Sequence, residues 1–234
     1  MRGIGTVVNV VTVLAGTATG VVLGARLPER LRTAVLQAVG LVTLVIGARD
    51  AFGTRNVVFP LVALILGAAI GEALGIEDGL EALGGAVRRR FTAEEGDEES
   101  RFVEGFVAAS LLFCVGPLTI LGSIRDGLGG PDHAQLLLVK AALDGIVAIA
   151  FASTLGWGVG LSALTVIVVQ GTLTVGASAA DRLLTTRMIV EMTATGGFIV
   201  IGIGLRLLEL KKVAVASLLP ALVLAPIGVA LVAR

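Results

Sequence analysis

The chain has 234 residues, of which 56% are hydrophobic and 15% charged, and its mean hydropathy is +0.98. A soluble domain of this length is far more polar, and 18 basic residues balance 18 acidic ones, so neither a water-soluble fold nor a nucleic-acid partner is expected. One cysteine, Cys114, and one histidine, His133, exclude an intrachain disulfide and a cysteine- or histidine-rich metal site, and we expect no cofactor.

Apolar runs of about 20 residues recur along the chain, and a helix of that length crosses the roughly 30 Å hydrocarbon core of a bilayer. The pattern predicts an all-α, polytopic transmembrane bundle of about eight spans. The first run is interpreted as a membrane helix, since no small-residue cleavage site follows it. The predicted spans cover residues 4–24, 34–52, 57–75, 102–123, 134–155, 159–179, 187–208 and 213–233.

Two glycine ridges in the first and third spans favour close helix packing, either within the bundle or between copies in a homo-oligomer. They are Gly16, Gly20 and Gly24, and Gly67, Gly71 and Gly75.

Residues 76–101 are the only hydrophilic region. Ile76, Leu80, Leu83 and Val87 share one helical face before a basic run at 88–90, which predicts a short amphipathic helix at the membrane surface, followed by a charged loop. Lys and Arg are modestly enriched on the side that holds this loop, so both termini are predicted to lie outside.

Gly116 and Pro117 interrupt the fourth span, where a proline removes a helical hydrogen bond and predicts a kink or two half-helices. Asp126, at the end of this span, is interpreted as part of an ordinary interfacial turn.

Lys140 and Asp144 lie inside the fifth span and share one helical face. Charged residues in membrane helices nearly always face a bundle interior or a watery cavity, which favours an ion or substrate site. The alternative is a structural ion pair that fixes helix packing. Asn9 and Gln170, polar residues in the first and sixth spans, either hydrogen-bond between helices or offer carbonyl oxygens to a ligand.

The seventh span begins with a polar group that resembles a cation site. Glu191, Thr193 and Thr195 would supply oxygen ligands, and Gly196 with Gly197 would permit local unwinding. The alternative is an interfacial glutamate at a helix start, with glycines that only pack.

The chain also resembles itself. "GTATG" in span one matches "GTLTVG" in span six, and "PLVAL" in span three matches "PALVL" in span eight. An inverted 3+3 repeat is therefore predicted, as in many transporters. The predicted segments are 1–75 (first repeat), 76–101 (surface helix and loop), 102–156 (central pair) and 157–234 (second repeat).

Four motifs carry a family resemblance: "RFVEGFVAASLLFCVGPLTILGSIRDGLGG", "KAALDGIVAIAFASTLGWGVG", "VVQGTLT" and "EMTATGGFIVIGIGL". In this order they resemble the YdfK/YqgA family of bacterial inner-membrane proteins, over almost the whole chain. The resemblance implies a multipass inner-membrane protein and assigns no catalytic residues. "LDGIVAIAFAS" is also similar, over a short stretch, to small exporters of the LysE and MntP type.

We expect a transporter or channel for a small cation, H⁺, Na⁺ or a divalent metal, with Asp144, Glu191 and Lys140 as its charged groups. The all-oxygen ligand set favours hard ions. The alternative is a non-transporting structural or regulatory membrane protein. An enzyme is not expected, because no nucleophile–base pair shares a face.

Overall fold

A computed structural model describes residues 2–79, 82, 97–114, 117–129 and 132–232. All regular structure in these residues is helical, which confirms the predicted all-α fold. Apolar runs fold this way because a helix satisfies its own backbone hydrogen bonds where lipid offers none. The helices are α1 (Ile4–Gly24), α2 (Glu29–Ala51), α3 (Val58–Ala73), α4 (Asp97–Cys114), α5 (Pro117–Leu128), α6 (Gln135–Leu155), α7 (Gly158–Val175), α8 (Ala177–Leu183), α9 (Thr186–Leu207), a 3₁₀-helix (Ala216–Leu218) and α10 (Ala221–Val232).

Five of the described helices are long and apolar enough to cross a membrane: α1, α2, α6, α7 and α9. The axes of α4 and α5 differ by 59°, and this pair makes a sixth crossing if it is one broken span. α3 and the segment Ala216–Val232 are apolar but shorter. Each predicted span thus coincides with an apolar helix or helix pair, while the count of eight crossings stays a prediction.

The predicted break in span four falls between Cys114, the last residue of α4, and Pro117, the first of α5. Gly116 lies outside the described residues. So does most of the predicted surface helix and charged loop, at residues 80–81 and 83–96.

The chain divides into two compact units, a first of residues 1–36 and 92–183 and a second of residues 37–91 and 184–234. Each unit combines helices from both predicted repeats: α1 packs on α7 in the first, and α3 packs on α10 in the second. The repeat itself stays a prediction.

The first unit is organised around α1 and α6, which run in the same direction. Gly5 of α1 contacts Leu137 of α6, and Gly24 contacts Ser153. A Cβ atom added at Gly16, Gly20 or Gly24 would lie 2.4, 2.3 or 2.3 Å from a backbone carbonyl oxygen of α6. This ridge therefore lets two backbones touch.

Gly20→Ala should lower the free energy of unfolding by about 1–3 kcal/mol, because the added methyl collides with the carbonyl oxygen of Ile149, an atom that cannot move alone. Thermal unfolding in detergent measures the change. Gly171→Ala is the matched control, since a Cβ there meets nothing within 4 Å and alanine is the better helix former. Equal losses in the two variants would show that the close contact is unimportant.

In the second unit, α3 packs on the 3₁₀-helix and α10. A Cβ at Gly67 would lie 2.6 Å from the nitrogen of Ala221, and one at Gly71 would lie 2.0 Å from the carbonyl oxygen of Ser217. Gly75 follows α3 with φ +59°, a conformation that favours glycine, and a Cβ there would meet no atom within 4 Å. Except for Gly75, the glycines of both predicted ridges thus pack within the chain, and a homo-oligomer stays a prediction.

The second unit also packs residues 37–51 of α2 against α9. A Cβ at Gly197 would lie 2.4 Å from the nitrogen of Ala51, and one at Gly40 would lie 2.8 Å from the side chain of Leu208. α9 continues without interruption through Gly196 and Gly197. The predicted unwinding at these glycines is therefore wrong; Gly197 serves close helix packing instead.

Candidate ion site

The first unit brings three of the predicted residues together around Asp144. Its Oδ2 accepts a hydrogen bond of 2.9 Å from Nδ2 of Asn9 and forms an ion pair with Nζ of Lys140. Asp144 is 7% exposed, Lys140 4% and Asn9 0%. The Asp144 carboxylate is thus bound by one residue of its own helix, α6, and by one residue of α1.

The local sequence explains this geometry. Lys140 and Asp144 are one turn apart on α6, so their side chains meet. Gly16 lies against the carbonyl of Gly145, which brings α1 close enough for Asn9 to reach Asp144. The ammonium of Lys140 also lies 5.8 Å from the ring centroid of Phe113 on α4, a cation–π contact that stabilises the buried charge.

Gln170 of α7 is fully buried, and neither Nε2 nor Oε1 of its side chain has a hydrogen-bond partner among the described residues. Oδ1 of Asn9 is likewise buried without one. Buried polar atoms nearly always have partners, because an unsatisfied one costs about 1–3 kcal/mol. The side-chain oxygens of Asn9 and Gln170 therefore have hydrogen-bonding capacity that the described residues do not use, and they could bind a ligand.

The packing of α1 on α7 places both amides at the same level. The helices are antiparallel, since Thr6 meets Thr174 and Gly160 meets Thr17. From the Thr6–Thr174 contact, one turn along α1 leads to Asn9, and one turn back along α7 leads to Gln170. With a rise of about 1.5 Å per residue, the two amides differ in height by less than a turn.

The available chemistry is that of one carboxylate and two amide carbonyls, with one lysine as counter-charge. Oxygen atoms of this kind suit hard cations. Among the described residues, no group of three His, Cys, Asp or Glu side chains could hold a metal ion.

Glu191, the other predicted acidic ligand, belongs to the second unit and has a different role there. Its Oε2 accepts from the Thr54 hydroxyl at 2.6 Å, and its Oε1 accepts from the backbone N–H groups of Arg55 and Asn56 at 2.9 and 3.2 Å. The carboxylate is 0% exposed. It therefore fixes the loop between α2 and α3.

The two predicted threonine ligands also lie in the second unit. The Thr195 hydroxyl donates to the carbonyl oxygen of Glu191 at 2.8 Å, within α9. The Thr193 hydroxyl is buried and has no partner among the described residues. Neither threonine is within the first unit, where Asp144 lies.

Two carboxylate contacts were not predicted from the sequence. Asp126 is 0% exposed and its Oδ2 accepts from the N–H of Gly5 at 3.1 Å, so its assignment to an ordinary interfacial turn is wrong. In the second unit, Glu77 accepts from Nη1 of Arg206 at 2.8 Å and from the N–H of Ala216 at 2.7 Å. Both acids bind backbone N–H groups more than 100 residues away, for which the sequence carries no local signal.

Comparison with known proteins confirms the family resemblance. Residues 4–230 match the model of the family described as "Protein of unknown function (DUF554)". The "Uncharacterized protein YqgA" of Escherichia coli (strain K12) is 32% identical over 223 residues, covering 95% of this chain and 94% of the relative. The "Uncharacterized membrane protein YdfK" of Bacillus subtilis (strain 168) is 31% identical over 227 residues, with the same coverage. No solved structure matches the chain significantly.

Proposed function

We propose that this chain carries a small monovalent cation across the bilayer. The chain belongs to the DUF554 family, and its relative YdfK is named a membrane protein. The observation that carries the proposal is the Asn9–Lys140–Asp144 cluster inside membrane-length helices. Charge at such a place is expensive, and intramembrane charges usually serve a substrate, ion or proton path.

The site supports an exchange of positive charges. With no cation bound, Lys140 neutralises Asp144. A cation that binds the carboxylate replaces the lysine charge, and the released ammonium keeps its contact with Phe113. The carbonyl oxygens of Asn9 and Gln170 are then available as acceptors for the ammonium or as ligands for the cation. The total charge of the cluster rises by only the one unit that the cation brings.

The number of charges favours a monovalent ion. One carboxylate balances one positive charge, and a divalent ion beside Lys140 would leave two uncompensated charges in a medium where each costs several kcal/mol. H⁺ and Na⁺ both fit, because H⁺ can neutralise Asp144 directly and Na⁺ accepts oxygen ligands of this type.

Flux measurements in liposomes test the proposal. Imposed gradients of H⁺, Na⁺, K⁺, Mg²⁺ and Mn²⁺ are followed with ion-sensitive dyes, and we expect flux of H⁺ or Na⁺ above protein-free liposomes. The double variant Lys140→Met/Asp144→Asn, which removes both charges together, should fall to background. Asp181→Asn is the control, since it removes an exposed acid of the same unit. Undiminished flux in the double variant would remove Asp144 from the mechanism.

The same contacts support a second candidate, a non-transporting structural or regulatory membrane protein. The hydrogen bond from Asn9 to Asp144 joins α1 to α6 and would by itself fix their register. In that case, liposomes with the parent protein would be as tight as protein-free ones for every ion. Neither candidate involves enzymatic chemistry.

We also propose that the protein lies in a bacterial inner membrane with both termini outside, because Lys and Arg are more frequent on the other side of the predicted spans. A reporter enzyme that is active only outside the cytoplasm, fused to the C-terminus, should be active. An inactive reporter on a stably produced fusion would reverse the orientation.

A further inference from the structure

The first unit holds a second buried acid near one of its surfaces. Oδ2 of Asp126 accepts the N–H of Gly5, and Oδ1 lies 3.6 Å from Nε2 of His133. The Asp126 side chain is 0% exposed, whereas that of His133 is 21% exposed. The pair therefore connects the surface with the interior.

Helix packing places Asp126 close to the Asp144 cluster along the bundle. Gly5, which contacts both Asp126 and Leu137, lies one turn of α1 before Asn9. Leu137 in turn lies one turn of α6 before Lys140. Since α1 and α6 run in the same direction, the Asp126 level is about one helical turn, roughly 5.4 Å, from the level of Asn9 and Lys140.

Hydroxyl groups occupy the intervening turn. The Ser123 hydroxyl, one turn before Asp126 on α5, is fully buried and has no partner in the described part of the chain. Gly122, the neighbour of Ser123, contacts Leu137, which also contacts Gly5, so Ser123 lies at the Asp126 level. The hydroxyls of Thr6 and Thr174, 3.4 Å apart, lie between the levels of Asp126 and Asn9.

We propose that His133 and Asp126 form the entrance of a proton route to Asp144, which makes H⁺ the transported ion. This inference rests on the proposed transport function. Histidine exchanges protons with water near neutral pH, and here its ring adjoins a buried carboxylate. A hydroxyl can accept one proton while it donates another, as relay requires.

The proton balance of the route is simple. Imidazolium Nε2–H of His133 gives its proton to Oδ1 of Asp126, and the neutral imidazole takes another from water. The carboxylic acid of Asp126 returns to carboxylate as its proton passes through the intervening hydroxyls. Asp144 then accepts the proton, and its ion pair with Lys140 is released.

Other charged groups surround this entrance. Arg2, before α1, places its Nε 3.2 Å from where a Cβ of Gly129 would lie. Arg125 and Asp132 flank the pair and are exposed. Because these groups face water, their charges are screened and affect only the local surface potential. The direct contact with Asp126 is made by His133.

Proton uptake into liposomes after a pH jump tests the route. His133→Gln and Asp126→Asn should each slow uptake by about 100-fold, the lower range of what a positioned proton donor contributes. The dependence of the rate on pH should flatten in His133→Gln, and added imidazole should restore part of the rate. Asp132→Asn is the matched control, because it makes the same change at an exposed position beside His133.

The outcomes separate this inference from the transport proposal. Parent flux that is lost in Lys140→Met/Asp144→Asn but unchanged in His133→Gln would refute the route and keep the transporter. Absence of flux in the parent would refute both. If Asp126→Asn does not fold, His133→Gln decides alone, since its side chain is partly exposed.

Discussion

Lys140→Met should lower the free energy of unfolding by about 3–5 kcal/mol, because removing one member of a buried ion pair leaves the other charge uncompensated. Lys140 is 4% exposed and its partner Asp144 7% exposed, so water screens neither group. Asp144→Asn should have a comparable effect, since it leaves the ammonium of Lys140 without its carboxylate.

The double variant Lys140→Met/Asp144→Asn should recover most of this loss. No charge then remains, methionine occupies most of the lysine volume, and the amide oxygen of the introduced asparagine still accepts from Nδ2 of Asn9. Replacement of both members of a buried pair is often nearly neutral. The interaction free energy from this double-mutant cycle measures the pair itself.

Chemical unfolding in detergent micelles gives the four free energies of the cycle. Arg49→Met is the control, because it removes a pair to Asp50 in which the arginine side chain is 72% exposed, and such pairs contribute about 0–1 kcal/mol. A double variant as unstable as the single ones would show that the cluster stabilises the unit by contacts other than charge. A stable double variant without flux would separate transport from folding.

The sequence predicted what depends on local spacing. The ion pair follows from two residues one turn apart, and the break before Pro117 follows from the chemistry of proline. The glycine ridges were predicted to pack, but the sequence does not show which helix each ridge contacts. Their partners in α6 and α10 are known only from the tertiary structure, because a glycine ridge looks the same in sequence whichever helix packs on it.

The remaining contacts depend on residues far apart in the chain. Asn9 and Asp144 are 135 positions apart, and either hydrogen bonding or ligand binding suited Asn9 equally well before its partner was known. Asp126 stands among Arg125, Gly127 and Gly129, a context typical of a surface turn. Its burial follows from α1 packing across it, where it binds the N–H of Gly5.

Glu191 shows that the role of a whole motif also depends on partners far away in the chain. Carboxylate, threonines and glycines in series resemble a ligand set, yet the donors to Glu191 are two backbone amides and a hydroxyl of a loop about 135 residues earlier. Such loop donors leave no periodic pattern. Only tertiary structure separates a carboxylate that holds a loop from one that binds an ion.

Glu191→Ala should therefore lower the free energy of unfolding by about 3 kcal/mol or more, because hydrogen bonds to a charged group contribute about 1.5–3 kcal/mol each and three are lost. Glu191→Gln should have a much smaller effect. The glutamine carbonyl keeps both backbone N–H donors, and the Thr54 hydroxyl turns to accept from the new amide.

Unfolding of both variants in detergent, with H⁺ and Na⁺ flux in liposomes, distinguishes the two roles of Glu191. A loop-fixing role gives a severe alanine variant and a glutamine variant with near-parental stability and flux. Thr54→Val is the control, since it removes one of the three donors and should cause a fraction of the loss seen with alanine. A stable glutamine variant that has lost flux would instead make the charge of Glu191 part of transport, because charge is the property that glutamine removes.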